Sequence, residues 1–221
     1  SSAASDVYKR QHDTYDVLFT TIPLDTLVKK QKDIVLPSAS KLHHSSVTIV
    51  GIGIAGKPPE NLLTKCWMYF PENIAPFFRA TVFSNYSRFN APSGSWSLMT
   101  EVASSRYVPL PQGDIGVLAL EGARKTKLVP KGAKIESLWT FRSEYGYPTP
   151  TLLRDRYLSQ TLPALEALDV YSRGRFGAWK YEVSNQDHTF MQGVEWVNHM
   201  LHEEEEITVH NPARVNGMVK R

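Results

Sequence analysis

The sequence predicts a mixed α/β (α+β) fold, in which a partial α/β layer is joined to a second domain built on an antiparallel sheet. Three observations support this prediction. A β-rich segment, 15–23, stands near the start of the chain, short β-branched or alternating runs fill its middle, and helical patterns dominate after Pro148 and Pro150. A chain that leaves one layer, builds a second domain and returns has this order of elements. We therefore expect its two ends to lie together.

The opening elements define the first part of that layer. Residues 1–11 carry no fold signal and are interpreted as a non-native or disordered leader. The strand at 15–23 follows, and then a short helix over 24–32, which the proline-containing segment 36–38 ends. We assign 12–37 to the first layer as a strand and a crossover.

The middle of the chain, 38–147, is predicted to be the antiparallel-sheet domain. Four short runs have β-branched, aromatic or alternating patterns: 47–55, 66–70, 80–85 and 96–103. A helix over 115–128 and a further strand over 135–141 complete the domain. The glycine cluster at 51–56 runs through the first strand and lacks the spacing of a dinucleotide-binding loop, so it is interpreted as sheet.

The last part of the chain, 148–221, is predicted to return to the first layer. A helix over 152–168 precedes a turn, 174–188, that places a glycine-flanked arginine, a tyrosine and small polar groups before a second helix. Backbone N–H groups and the helix dipole at such a turn can hold an anion or an electron-rich ring. The turn therefore predicts contact with a cofactor.

The second helix has one apolar stripe, which we expect to face a core. Its members are Phe190, Val194, Val197 and Leu201. Asp187 or Thr189 can cap the start of this helix. The acidic run 203–206 stands at its other end, where negative charge opposes the helix dipole. We expect the helix to fray there and the run to be solvated.

Composition restricts the function classes. The chain has 221 residues, 42% hydrophobic and 11% aromatic, which is enough for a sizeable core. Its net charge of +3 is spread along the chain without basic blocks, so a phosphate-bearing small molecule fits better than a nucleic acid. A single cysteine, Cys66, rules out an internal disulfide, and no apolar run approaches the length of a membrane span. These features predict a cytoplasmic protein with neither a nucleic-acid nor a membrane partner.

Four separated motifs carry a family resemblance. They are KCWMYFPE at 65–72, FRATVFSNYS at 78–87, GYPTPT at 146–151, and SRGRFG at 172–177 through NQDH at 185–188. In this order they resemble UDP-galactopyranose mutase of the eukaryotic, fungal-like type, a family related to the FAD-dependent amine oxidases. The resemblance extends from about Tyr15 to the end of the chain and covers the later part of the family's length.

The resemblance implies an isomerase that interconverts UDP-galactopyranose and UDP-galactofuranose with reduced FAD, through a covalent flavin–sugar adduct. It implies NAD(P)H as the reductant and is compatible with a homo-oligomer. The implied fold is a partial FAD-binding Rossmann-like domain with an antiparallel-sheet substrate domain. The glycine-rich N-terminal dinucleotide-binding part is missing from this sequence. We therefore expect the chain to be a fragment that is inactive alone.

The resemblance also assigns site residues. Arg79 and Arg175 are the catalytic candidates, because planar arginine forks suit a diphosphate that departs and returns. The other substrate-binding candidates are Tyr69, Tyr86, Tyr147, Tyr181 and Asn185. The cofactor-binding candidates are Gly174, Arg175, Asn185, Gln186 and Asp187, where the terminal helix can stabilise the negative charge of reduced flavin. No metal is implied.

These residues also have structural interpretations. Arg79 could pair with Glu72 on the surface. Gly174 and Gly177 could mark only a turn. Three of the tyrosines stand in strand-like runs, where aromatic side chains commonly pack: Tyr69, Tyr86 and Tyr181.

Other conspicuous side chains are given structural roles. Cys66 has no identifiable base partner and is expected to be a buried, inert thiol. His188 and the pair at 43–44 lack the spacing of a metal site and are interpreted as solvated or capping. Three tryptophans are expected to be core aromatics: Trp139, Trp179 and Trp196.

Three function classes remain open. The mutase is supported by the two arginines and the tyrosine set. A redox enzyme of the wider amine-oxidase group would use the same returning strand and terminal helix, but it would not need two arginines for a diphosphate. A non-catalytic remnant or binding module is the third class.

Overall fold

The computed structural model describes residues 14–31 and 41–217. They divide into two units, which we call the split unit (14–31, 41–43 and 148–217) and the sheet unit (44–147). The leader at 1–11, the helix-ending segment 36–38 and Lys32 lie outside the described residues.

The strands, in chain order, are β1 Leu18–Thr20, β2 His44–Ala55, β3 Trp67–Tyr69, β4 Arg79–Val82, β5 Ser95–Ser104, β6 Ile135–Pro148 and β7 Val170–Ser172. The α-helices are α1 Leu24–Lys30, α2 Ile115–Lys125, α3 Arg154–Glu166, α4 Gly174–Gly177, α5 Gln186–His202, α6 Ile207–His210 and α7 Pro212–Gly217. Single 3-10 turns are formed by Glu60–Leu62, Phe83–Asn85 and Tyr181–Val183. The mixed α/β prediction is confirmed, because a parallel strand pair and a separate antiparallel-paired sheet are both present.

The sheet unit is built on five strands in the order β3-β4-β5-β2-β6. β2 and β5 pair in antiparallel, from Ser46 opposite Ser104 to Ala55 opposite Ser95. Because side chains alternate along a strand, Val50, Ile52 and Ile54 of β2 all enter one hydrophobic core. The glycine-rich stretch at 51–56 is therefore mostly strand, as expected.

Two strand predictions in the sheet unit need correction. β4 ends at Val82 and the next three residues form a 3-10 turn, so the strand does not continue to residue 85. β6 continues beyond residue 141 to Pro148. Most side chains along β6 are exposed, so it lacks the half-buried alternation that identifies a strand in sequence.

Helix α2 covers the core face of the sheet. The Asp114 carboxylate caps it by accepting a hydrogen bond from the Val117 N–H at 3.0 Å. Ala119 and Ala123 are fully buried. A Cβ on Gly122 would lie 2.9 Å from atoms of Ala75 and Pro76, so this glycine permits a close approach. The helix ends at Lys125, three residues before the predicted end.

The split unit contains the two strands that bracket the sheet unit in sequence. β1 and β7 pair in parallel, with Leu18 opposite Val170 and Thr20 opposite Ser172. After the sheet unit, the chain thus pairs β7 with its first strand. Its core is formed by aliphatic residues of α3 and by Trp179, which is fully buried.

The apolar stripe of α5 does not face a core among the described residues, contrary to the prediction. Phe190 is 72% exposed and Leu201 is 69% exposed. Helical periodicity identifies a face suited to burial, but it does not say which segment covers that face. The capping prediction is also wrong. α5 begins at Gln186, and its N-cap residue, Asn185, makes no side-chain capping hydrogen bond.

The acidic run after α5 is solvated only in part. Glu206 is buried, and its carboxylate accepts two hydrogen bonds from Arg173, at 2.6 and 2.7 Å. The Glu166 carboxylate lies 2.8 Å from the same guanidinium. The helix end is also defined, because Glu203 takes a left-handed conformation and its N–H donates to the His199 carbonyl. The prediction of a fully solvated run was wrong because Arg173, which is distant in sequence, neutralises the Glu206 carboxylate.

Three further side chains differ from expectation or refine it. Cys66 is exposed, so the buried-thiol interpretation is wrong. Trp139 is 57% exposed and is not a core aromatic. Trp196 is half-buried, with its ring centroid 4.6 Å from that of Phe19. Across residues 14–31 and 41–217, no helix combines the length and apolar character of a membrane span, and no group of three or more His, Cys, Asp or Glu residues could hold a metal.

Candidate functional site

Arg79 occupies the first position of β4, between two other strands. The sheet register places Tyr69 of β3 on one side of it and Glu101 of β5 on the other. Both oxygens of Glu101 accept hydrogen bonds from the guanidinium, each at 2.7 Å. These hydrogen bonds raise the pKa of Arg79 above its ordinary value. The alternative of a surface pair with Glu72 is not realised, because Glu101 is the carboxylate that holds Arg79.

Aromatic groups surround the same guanidinium. Its central carbon lies 5.6 Å from the ring centroids of both Trp67 and Phe78. Its Nη2 donates to the Tyr147 hydroxyl at 3.3 Å. The structure thus brings together three of the predicted site residues, Tyr69, Arg79 and Tyr147. These contacts hold the planar guanidinium of Arg79 at a fixed orientation.

Glu101 and Trp67 belong to this cluster but were not predicted. Trp67 stands inside the first resemblance motif, next to the exposed Cys66, and could have been found there. The local sequence does not identify the partner of Glu101, because only cross-strand register brings it opposite Arg79. Buried carboxylates in strands require a partner, so an isolated glutamate in an apolar alternating run is the one clue available.

Close backbone packing positions Tyr147. A Cβ on the preceding Gly146 would lie 2.5 Å from Cγ2 of Val47 and 2.9 Å from the Ser45 carbonyl oxygen. Only glycine allows β6 to approach β2 this closely. The glycine before Tyr147 therefore has a packing reason, and the tyrosine's location depends on it.

Tyr86 follows a 3-10 turn and is not in a strand. It is 48% exposed, and its ring meets that of Phe83 edge-on, with centroids 6.0 Å apart. Partial loss of solvation raises the pKa of its hydroxyl above the ordinary value. The phenol therefore stays neutral and can donate a hydrogen bond at neutral pH.

The split unit holds the second group of predicted residues around α4. Gly174 has φ +83°, and its N–H donates to Oε1 of Gln192 at 2.7 Å. The Arg175 Nε donates to the Ser184 carbonyl at 2.9 Å. A left-handed backbone at Gly174 is a position where glycine is favoured, so the residue has a conformational requirement beyond simple flexibility.

A cavity of about 700 Å³ opens at this segment. It is lined by Thr21, Gly174, Arg175, Phe176, Ser184, Gln186, Thr189 and Phe190. Of the predicted cofactor residues, Gly174, Arg175 and Gln186 share this cavity. Asn185 and Asp187 are exposed neighbours in sequence and do not line it.

Tyr181 lies in a 3-10 turn, so its assignment to a strand-like run is wrong. Its side chain is 51% exposed. The other arginines nearby are held by carboxylates: Arg173 by Glu206 and Glu166, and Arg154 by Glu182 and Asp155. Burial pulls the pKa of Arg173 down, but the hydrogen bonds and charge of Glu206 raise it above the ordinary value. These two arginines are structural.

Arg79 is in the sheet unit and Arg175 is in the split unit, which are separate compact units of the chain. Their shared action on one diphosphate therefore stays a prediction. What each unit provides is a local set of hydrogen-bond donors next to aromatic surface.

Comparison with known proteins identifies a similar structure. A crystal structure of reduced UDP-galactopyranose mutase shares 46% sequence identity with this chain at a TM-score of 0.89, over 93% of this chain and 45% of the mutase chain. The chain thus spans less than half the length of that mutase. At this identity the likeness supports the mutase resemblance drawn from the four motifs.

A second solved structure is more distant. A protein from Exiguobacterium sp. 255-15, assigned as a protoporphyrinogen oxidase, shares 15% identity at a TM-score of 0.54, over 71% of this chain and 35% of its own. This likeness concerns the fold alone. No protein-family profile matches the chain.

Proposed function

We propose that this chain is the later part of a UDP-galactopyranose mutase of the eukaryotic, fungal-like type, which interconverts UDP-galactopyranose and UDP-galactofuranose. The observation that carries the proposal is the cluster around Arg79, in which residues from separate resemblance motifs meet. Because the chain spans under half of the similar mutase, the activity belongs to the full-length protein. The chain alone is expected to be inactive.

The residues of the cavity at α4 fit a flavin. Backbone N–H groups at the start of the 17-residue helix α5 and the Arg175 guanidinium are donors suited to the negative charge of reduced flavin. Gly174, Arg175 and Gln186 would hold it, with Asn185 and Asp187 beside them. When bound, reduced FAD supplies a nucleophile for the anomeric carbon of the sugar.

The chain's own residues act on the diphosphate. As the bond between sugar and UDP breaks, negative charge grows on the diphosphate, and guanidinium groups stabilise it most where they are already oriented. Arg79 is oriented by Glu101 and its aromatic neighbours, so little reorganisation is required of it. Arg175 is assigned the same role in the split unit.

Phenol and amide groups complete the proposed site. Tyr69, Tyr86, Tyr147 and Tyr181 can donate hydrogen bonds to phosphate oxygens without adding positive charge, which helps UDP to be released and recaptured. Asn185 is assigned to the substrate. We further propose NAD(P)H as the reductant and a cytoplasmic location.

The test uses the full-length protein that carries this chain. We expect flavin absorbance in the purified protein and conversion of UDP-galactopyranose under reducing conditions. Oxidation of an amine without sugar isomerisation would replace the mutase by the amine-oxidase-like alternative. A protein that binds neither flavin nor UDP would support the non-catalytic alternative.

A further inference from the structure

A buried amide closes the segment that carries Arg175 and Tyr181. Gln192 is on α5, and its side chain is fully buried. Its Oε1 accepts the Gly174 N–H at 2.7 Å, and its Nε2 donates to the Val183 carbonyl at 3.0 Å. One side chain therefore bonds both ends of the segment 174–183.

Neither backbone group that Gln192 bonds can turn to water if the glutamine is removed. Gly174 and Val183 are both buried, so a backbone group that loses its partner there pays the cost of desolvation. The amide of glutamine is the side chain that can accept at one end and donate at the other. A hydrophobic residue of the same size satisfies neither backbone group.

We call the two hydrogen bonds of Gln192, to Gly174 and to Val183, the tether. Its effect reaches the proposed site residues through the backbone. Val183 precedes Ser184, whose carbonyl accepts the hydrogen bond from Arg175 Nε at 2.9 Å. The Ser184 hydroxyl donates to the Tyr181 carbonyl, also at 2.9 Å. Displacing the Val183 end would therefore move the carbonyl that orients Arg175 and the turn that carries Tyr181.

We infer that Gln192 is a positioning residue for diphosphate binding, acting through the backbone of 174–184 on Arg175 and Tyr181. The inference rests on the proposed function and deepens it. Gln192 does not line the cavity at α4, so it acts without touching a ligand there. Its contribution comes from holding donors in place before UDP binds.

The test compares three variants in the full-length protein: Gln192→Met, Gln192→Glu and the control Gln160→Met, at an exposed position of α3. Each is examined by hydrogen exchange of the amides in 174–184, by UDP affinity in calorimetry, and by kcat and KM for UDP-galactopyranose. Methionine keeps the length of the side chain and removes both hydrogen bonds.

For Gln192→Met we expect amide exchange in 174–184 to accelerate at least about tenfold, because the opening of the segment becomes easier. The Kd for UDP should rise about tenfold and kcat should fall by up to about 10²-fold, the size of effect that a small misplacement of positioning groups produces. KM should change less than kcat. Gln160→Met should match the unsubstituted protein in all three measurements.

The Gln192→Glu variant adds a pH profile that a purely structural role would not produce. A carboxylate can accept the Gly174 N–H but cannot donate to the Val183 carbonyl, whereas a protonated carboxyl group can do both. Burial raises a carboxyl pKa, so protonation is expected between about pH 7 and pH 5. UDP affinity, relative to the unsubstituted protein at the same pH, should therefore recover as pH falls.

Several outcomes would overturn the inference. Unchanged amide exchange in 174–184 for Gln192→Met would show that the two hydrogen bonds of Gln192 do not hold this segment. Faster exchange with unchanged UDP affinity and kcat would show that Gln192 does not position the site residues. If Gln192→Met does not fold, a pH-independent affinity of Gln192→Glu has the same consequence. A protein that never binds UDP would overturn the proposed function instead, and the exchange data would still show whether the tether exists.

Discussion

The two units hold their key arginines by different means. In the sheet unit, Arg79 sits on a strand, and its partners Tyr69 and Glu101 are the residues directly opposite it on the neighbouring strands. In the split unit, Arg175 lies in a short helix, and the segment around it is held by Gln192, by Ser184 and by the buried pair next to it. The first arrangement follows from regular register. The second depends on a few buried polar bonds between positions far apart in sequence.

This difference teaches where each half is vulnerable. A strand position is supported by many backbone hydrogen bonds, so no one side chain determines its placement. An irregular segment closed by buried polar groups loses its conformation when one partner is removed, because the other is left buried and unpaired. We therefore expect single substitutions to change stability most in the split unit and ligand binding in both.

The largest effect is expected from the buried ion pair of the split unit. Arg173→Met leaves the Glu206 carboxylate buried without its partner and should lower the free energy of unfolding by about 3–5 kcal/mol. The measurement is a urea titration. The double variant Arg173→Met/Glu206→Leu should recover much of this loss, and the exposed Arg156→Met should change little. A loss below about 1 kcal/mol in the single variant would show that the pair does not hold this segment.

The next effect concerns activity in each unit. Arg79→Ala and Arg175→Ala in the full-length protein should each lower kcat about 10²- to 10³-fold, the cost of removing one preorganised stabiliser of transition-state charge. The exposed Arg106→Ala in the sheet unit serves as the matched control. An arginine whose removal leaves the kinetic constants unchanged would be excluded from the proposed site.

Two glycine substitutions should change the free energy of unfolding in opposite directions. Gly146→Ala places a Cβ against Val47 and the Ser45 carbonyl, and it should destabilise the sheet unit by about 1–3 kcal/mol. Gly193→Ala lies within α5, has no atom within 4 Å of the new Cβ, and should stabilise the split unit by about 0.5–1 kcal/mol. Urea titration of both variants decides the matter. Equal signs would contradict the contrast between a close-packed strand and an open helix face.

The smallest effect is a pH dependence in the split unit. Partial desolvation and the charge of Arg173 lower the pKa of His210 below its ordinary value, although Glu166 and Glu206 act in the opposite sense and Lys180 adds to the lowering. A folded-state pKa below the unfolded one means that the contribution to stability is complete above about pH 6.5 and is lost as pH falls through the folded pKa. His210→Gln should therefore flatten the fall in stability on acidification from pH 7.

Thermal unfolding at pH 7, 6 and 5 measures this slope. His202→Gln, at the exposed end of α5, is the control. If both substitutions change the slope equally, the effect does not come from the environment of His210.

Local pattern was sufficient for much of the sheet unit. Alternating and β-branched runs identified β2 and β5 within three residues of their ends, because one face of each strand is buried against α2. The motif resemblance placed Arg79 among tyrosines, and two of those tyrosines do flank it. Glu101 was missed because a carboxylate in a strand gains its partner only when the neighbouring strand is in register.

The split unit was less predictable, because more of its buried side chains have partners that are distant in sequence. Helices α3 and α5 were predicted from composition and periodicity, but the predicted burial of the α5 stripe and the predicted solvation of Glu206 were wrong. Periodicity reports which face is apolar and says nothing of what covers it, and charge density says nothing of a distant counter-charge. Gln192 carried no signal at all, since a polar residue on a helix is ordinarily exposed.

The amino-acid sequence by itself determined the mixed α/β class, the order of most of the longer strands and helices, and the set of arginines and tyrosines that suit a diphosphate, because these depend on local pattern and residue chemistry. Only the tertiary structure decided which side chains hold them: Glu101 for Arg79, Glu206 for Arg173 and Gln192 for the segment of Arg175. Such pairings join residues up to 33 positions apart, and hydrogen bonds between distant groups form only after the backbone has set their separation.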